Sequence, residues 1–242
     1  MFSNRRGRRW PLLAPLSALF GDASPPPPTA TPGSNGGPSG QAHRDEPPPL
    51  EPQDELVPGY QVRRHLRRGR PFDVYEVWSQ ERHCSCVAKT PRPAAEPERA
   101  QAMLRREGQR LLSFTHPHLV RAYEVLDVPR PAMVLETLQG QTVQHHIHEA
   151  GRPLVSGELA CLGLHLCAAL SYLHHHHLLH LDLKPSNIIF DSGRAKLIDL
   201  SLARPPGPGQ RGTGTPAYLS PEQATGGVHR GHRCLGHRRR SL

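Results

Sequence analysis

Hydrophobic and polar residues alternate along Tyr60-Gln61-Val62-Arg63-Arg64-His65-Leu66. The same texture returns in Val74-Tyr75-Glu76-Val77-Trp78 and in Cys84-Ser85-Cys86-Val87-Ala88-Lys89. A period of two is that of a strand with one buried face, so three short strands are expected. A charged helix is predicted over about 98–112, then two strands over 119–126 and 132–136. Further on the period changes. Leu159, Leu162, Leu166, Leu170 and Leu173 recur at spacings of 3, 4, 4 and 3, with Ser156 placed to cap the helix and Glu158 in its first turn. That predicts a core helix. A polar loop with His180, Asp182, Lys184 and Asn187 follows, then short strands over 188–190 and 195–198. The fold class is α+β: a small sheet with one helix, then a mainly helical half carrying small hairpins.

The first 59 residues lack either period. Twelve of the 27 prolines fall before residue 57, mixed with Gly, Ser and Thr. Such a composition buries too little apolar surface to offset chain entropy, so residues 1–59 are expected to be a disordered leader, partly polyproline II. In all 242 residues the hydrophobic fraction is 36%, at the low edge for a globular chain, so part of it is expected to fold and part not.

Net charge is +9, but nine of the 30 basic residues lie in 1–21 and 228–242, where there are no acids; between them 21 basic residues face 21 acids. Basic tails without interleaved aromatics argue against a nucleic-acid surface. Five cysteines are too few and odd in number for a disulfide scaffold, which points to a reducing, cytoplasmic setting. Cys84 and Cys86 lack a second pair at zinc-finger spacing and read as strand residues. The run His174 to His177 points four ways around a helix end and does not read as a metal site. Pro11 and Pro15 interrupt the apolar stretch over 11–20, which therefore does not read as a signal peptide, and no run approaches the ~18 apolar residues of a spanning helix.

Chemistry concentrates after residue 179. His180-Leu181-Asp182-Leu183-Lys184-Pro185-Ser186-Asn187 is followed by Asp199-Leu200-Ser201 and by Gly214-Thr215-Pro216-Ala217-Tyr218-Leu219-Ser220-Pro221-Glu222. These three strings, in this order, resemble the catalytic loop, metal-binding motif and P+1 segment of bacterial-like eukaryotic-type serine/threonine protein kinases. The resemblance covers 60–227 and implies a two-lobed kinase-like fold. It also implies transfer of the γ-phosphoryl of ATP to a protein hydroxyl, with Mg²⁺ or Mn²⁺ as cofactor. Its implied roles are specific. Asp182 is the base, Lys184 steadies the transferred group, and Asn187 and Asp199 hold metal. Lys89 reaches the phosphates and is paired with Glu107. Leu66, Gly69 and Val74 form the nucleotide roof, and Glu136 and Leu138 the hinge after Leu135. Thr213, Thr215 and Glu222 belong to the activation and P+1 segment. His180 is read as structural, and Pro185 after Lys184 favours Ser/Thr over Tyr as acceptor.

Three departures matter. The family's three-glycine roof is here Leu66-Arg67-Arg68-Gly69-Arg70-Pro71-Phe72-Asp73-Val74, with one glycine kept. Side chains at Arg67 and Phe72 hinder backbone approach to phosphate, while the charge of Arg67, Arg68 and Arg70 compensates in part. Leu181 replaces the arginine that pairs with a phosphorylated activation loop, so activity is expected not to depend on that phosphate. Finally, 228–242 is Arg-, His- and Gly-rich where the family continues into buried helices, which leaves the C-lobe incomplete. Codons for Gly231 to Arg239, read one base later with suitable choices, spell Ala-Thr-Asp-Val-Trp-Gly-Ile-Gly-Ala, the family's own continuation. The tail is thus expected to be a shifted frame that truncates a longer kinase. The alternative function is an impaired nucleotide-binding or interaction module, or a kinase fragment. The altered roof predicts weak nucleotide binding: titration calorimetry should give a Kd for Mg·ATP above the micromolar range, and a submicromolar value contradicts this.

Overall fold

The computed structural model describes residues 47–69, 71–93, 96–149 and 153–226. The Pro/Gly leader up to residue 46, Arg70 and the basic tail from 227 lie outside the described residues, as do the apolar stretch over 11–20 and the shifted-frame segment.

Six strands form one antiparallel sheet in the order β1-β2-β3-β4-β6-β5. They are β1 (Glu55–Val57), β2 (Tyr60–Arg68), β3 (Phe72–Ser79), β4 (Cys84–Pro91), β5 (Ala122–Leu126) and β6 (Ala132–Glu136). The alternation seen in the sequence sorts side chains onto two faces. Val62, Tyr75, Val77, Cys86 and Ala88 pack on one face with Leu56 and Val57. Leu66, Phe72, Val74 and Val87 point the other way, toward the helix and the second lobe. Cys84 and Cys86 share a face, with sulfurs 4.0 Å apart.

Helix α1 (Pro97–Ser113) starts with proline at its first turn, where the missing N–H costs nothing. Its buried stripe is Ala100, Leu104, Glu107, Gly108 and Leu111. A methyl group on Gly108 would stand 2.3 Å from Val125 Cγ2, so the glycine lets α1 lie close against β5. That close approach sets the depth of Glu107, one residue earlier.

The second lobe is built on α3 (Ser156–His175), which packs against the small sheet of β7 (Gln141–Thr142), β8 (Ile188–Asp191) and β9 (Arg194–Leu197). Short α2 (Val143–His148) precedes α3, and α4 (Pro221–Thr225) closes the described chain. Leu162, Leu170 and Leu173 are buried and Leu166 partly so, but Leu159 is 53% exposed. The expected five-leucine core stripe therefore begins one turn late. The cap also moves: Val155 holds the N-cap position and donates its N–H to Glu158 Oε2 at 3.0 Å, while Ser156 is already helical. Among the described residues α3 alone has the length and apolarity of a membrane span, with a mean hydropathy of 1.3. Here its buried edge is part of the lobe's core.

Folded structure starts before residue 59, where the leader was expected to end. β1 pairs with β2, Leu56 and Val57 are buried, and the Leu50 N–H donates to Tyr75 Oη. Two apolar residues among prolines carry no periodic signal, yet together they seal the open edge of the sheet. Leu56→Ala should therefore cost about 2–5 kcal/mol in urea unfolding; a change within about 0.5 kcal/mol, the range of surface substitutions, would mean that the segment is not packed.

Candidate active site

β4 and α1 present Lys89 and Glu107 to each other. Lys89 Nζ donates to Glu107 Oε2 at 2.7 Å, and Glu107 Oε1 accepts the Leu200 N–H at 3.4 Å. Burial works against the Lys89 charge, but Glu107 and Asp199 outweigh it and hold the ammonium above its ordinary value. Burial pushes Glu107 up to about 7, with Lys89 opposing. The 2.7 Å contact with Lys89 and the Leu200 N–H favour the charged pair, against burial and the neighbouring Asp199 charge, which both raise Glu107.

Asp199 follows β9. Burial alone would raise its pKa, but Lys89 and the Ser201 N–H, which donates to Oδ1 at 2.8 Å, hold it well below the ordinary carboxylate range. Ser201 stands where the family has glycine, yet its backbone does not require the left-handed region, so the serine is accommodated. Leu200 fills the adjoining core position, 1% exposed.

Across the cleft, the loop from His180 to Asn187 wraps around Asp182. Its Oδ1 accepts from the Thr215 N–H at 3.0 Å and the Thr215 hydroxyl at 2.7 Å; its Oδ2 accepts from Asn187 Nδ2 at 3.1 Å and lies 2.9 Å from Lys184 Nζ. Lys184 also donates to Thr215 Oγ1 at 2.8 Å. Leu181 adopts φ +65°, a conformation that strains a residue with a Cβ, and Gln223 Nε2 fixes its carbonyl at 2.8 Å. His180 is buried and its Nδ1 accepts the Asp182 N–H at 3.2 Å. Burial lowers its pKa, so the ring is neutral and supports the loop.

One cleft of about 330 Å³ separates these two groups. Gly69, Val74, Lys89, Glu136, Leu138, Asp182, Lys184, Asn187 and Asp199, all singled out from the sequence, line it. Leu66 lies instead in the core, Glu107 stands behind Lys89, and Thr215 reaches the site through Asp182. Thr213 is placed away from the cleft, its hydroxyl donating to Gln210 O at 2.8 Å, and Glu222 lies in the first turn of α4. The Glu136 side chain turns from the cleft to accept from the Arg121 N–H at 2.9 Å and from Lys196. Sequence reasoning missed the apolar walls Val87, Val120, Ile189 and Ile198. Val87 could have been found by alternation from Lys89, and Ile189 by the same step from Asn187.

The roof differs from expectation in one respect. Of the three arginines expected to compensate for lost glycines, Arg68 is committed to Asp73, with Nε and Nη2 both at 3.0 Å, and to Pro47 O. Arg67 lines the cleft, and its charge acts on Lys89. Arg70 is outside the described residues. The Asp199 carboxylate and Asn187 carboxamide both line the cleft and supply hard oxygen donors, a set that fits a divalent cation completed by phosphate oxygens and water. Among the described residues no cluster of three or more His, Cys, Asp or Glu is grouped as metal ligands, the His174–His177 run included.

A curled antiparallel sheet with one helix, facing a helical lobe across a cleft that holds these charges, defines a protein kinase-like domain. The family model for the protein kinase domain matches residues 60–233, and the chain belongs to that family. Membership implies use of ATP with a divalent metal ion. A probable serine/threonine-protein kinase of Streptomyces coelicolor is 32% identical over 192 residues, an alignment covering 73% of this chain. The chain spans about 28% of the length of that relative.

With Arg68 committed elsewhere, Arg67 is the roof arginine among the described residues that lines the cleft and can meet phosphate. Arg67 is exposed, so Arg67→Ala should weaken Mg·ATP binding about 5- to 10-fold, the size of an ordinary net hydrogen bond, without changing the melting temperature; unchanged affinity by calorimetry would remove Arg67 from the site.

Proposed function

We propose that this chain is a serine/threonine protein kinase domain that moves the γ-phosphoryl of Mg·ATP to a protein hydroxyl. The observation that carries the reading is the arrangement around Asp182, whose carboxylate is held by Thr215, Asn187 and Lys184 and which lines one cleft with Lys89 and Asp199. Phosphoryl transfer asks mainly for positioning and charge neutralisation. Asp182 orients the acceptor hydroxyl and takes its proton as oxygen bonds to the γ-phosphorus. The β–γ bridging bond breaks, and ADP leaves with its electron pair. Lys184 offsets charge on the transferred group, and Lys89, steadied by Glu107, anchors the other phosphates. Mg²⁺ or Mn²⁺, held by Asn187 and Asp199, neutralises phosphate charge when bound. Thr215 bridges Asp182 and Lys184, so it fixes the spacing of base and cation.

A non-catalytic nucleotide-binding module is the second reading, favoured by the Lys89 ammonium resting on the Phe72 ring at 4.6 Å. The four described cysteines are free, which supports a reducing cytoplasm as the setting. Incubation of the full chain with radiolabelled ATP, Mg²⁺ and myelin basic protein should label Ser or Thr. Asp182→Asn should lose about 10²-fold or more of the rate while still melting cooperatively. Thr215→Ala should lower kcat with little change in the KM for ATP, and Thr215→Ser should restore it. No label with the natural chain would leave the binding module as the reading.

A further inference from the structure

We infer that Phe72 gates the phosphate end of the cleft and sets its preference between nucleosides and nucleotides, an inference that rests on the nucleotide-cleft reading above. Phe72 opens β3 at a place where the related roof has a glycine. It is 7% exposed and lines the cleft, with its ring 4.6 Å below the Lys89 ammonium. Lys89 has three N–H donors. Glu107 takes one, and the lysine side chain is only 13% exposed. The ring therefore stands on an approach by which a phosphate oxygen reaches Nζ.

The backbone around Phe72 gives the roof little freedom to lift. The Gly69 N–H donates to Phe72 O at 2.8 Å, the Arg92 N–H to Pro71 O at 2.9 Å, and Arg92 Nη1 to Gly69 O at 3.1 Å. Arg92 thus ties the turn to the end of β4 from two directions. A flexible glycine roof can rise and settle over phosphates; here Gly69, Pro71 and Phe72 are latched by these bonds, and it is the Phe72 side chain that turns.

A phosphate that takes the ammonium must turn the ring aside and break its cation–π contact. In a desolvated site that contact opposes binding by a factor of about 3 to 30. A nucleoside lies toward Leu135 and Leu138 and has no phosphate to bring to Lys89, so the ring does not oppose it. The gate thus has a signature that simple packing lacks: removing the ring tightens the triphosphate and leaves the nucleoside alone.

Calorimetric titration of the full chain with adenosine and with Mg·ATP tests this, using Phe72→Ala and Phe72→Leu, each with a thermal melt. Phe72→Ala should bind Mg·ATP about 5- to 30-fold more tightly, and Phe72→Leu, which keeps apolar bulk without the ring, at least about 3-fold more tightly. Adenosine affinity should stay within about twofold. If Phe72→Ala loses its cooperative melt, Phe72→Leu decides. Unchanged or weaker Mg·ATP binding in Phe72→Leu, or parallel tightening of adenosine, overturns the gate while leaving the nucleotide cleft standing. Natural chain and variants that melt cooperatively yet bind neither ligand overturn both.

Discussion

The ion pair between Lys89 and Glu107 is the constraint on which the site depends. It joins a strand of the sheet to the helix packed on it, and through the Leu200 N–H and the Asp199 charge it reaches the segment after β9. A carboxylate 1% exposed is costly to bury, and losing either partner leaves an uncompensated charge worth about 3–5 kcal/mol. The pair therefore specifies one depth for α1. Gly108 lets the helix reach that depth by admitting Val125 where a methyl group would stand.

The other wall is held by a different device. Asp182 engages four donors from Thr215, Asn187 and Lys184, and the strained turn at Leu181 is anchored by Gln223. Because Gln223 also holds the Thr213 carbonyl at 3.1 Å, the segment that would present a protein acceptor is tied to the catalytic loop without an arginine–phosphate contact. Leu181 thus marks a loop held by amide hydrogen bonds.

Much of this was legible in the chain. Period-two alternation located the strands because successive side chains point to opposite faces of a sheet, although β3, β4 and β6 bury both faces; the string from His180 to Asn187 located the loop because its polar residues must share one turn. Glu107 left a trace as well: it falls within the stripe of Ala100, Leu104 and Leu111, where a carboxylate is out of place unless paired. What sequence reasoning missed depends on three-dimensional neighbours. Leu56 and Val57 are two apolar residues in a proline-rich context, and their burial comes from pairing with β2. Leu159 fits the helical stripe, but the lobe's core begins at Leu162. The roof arginines read alike in one dimension; Asp73 takes Arg68 because it sits opposite it in the β2–β3 ladder.

A double-mutant cycle on Lys89→Met and Glu107→Gln, read on Mg·nucleotide affinity in the full chain, tests the central claim most directly. Strong non-additivity, a coupling above about 1 kcal/mol, is expected, because Lys89→Met removes the anchoring ammonium and Glu107→Gln leaves it unheld. Effects that add within about 0.5 kcal/mol would show two independent residues and would contradict a cleft organised by this pair.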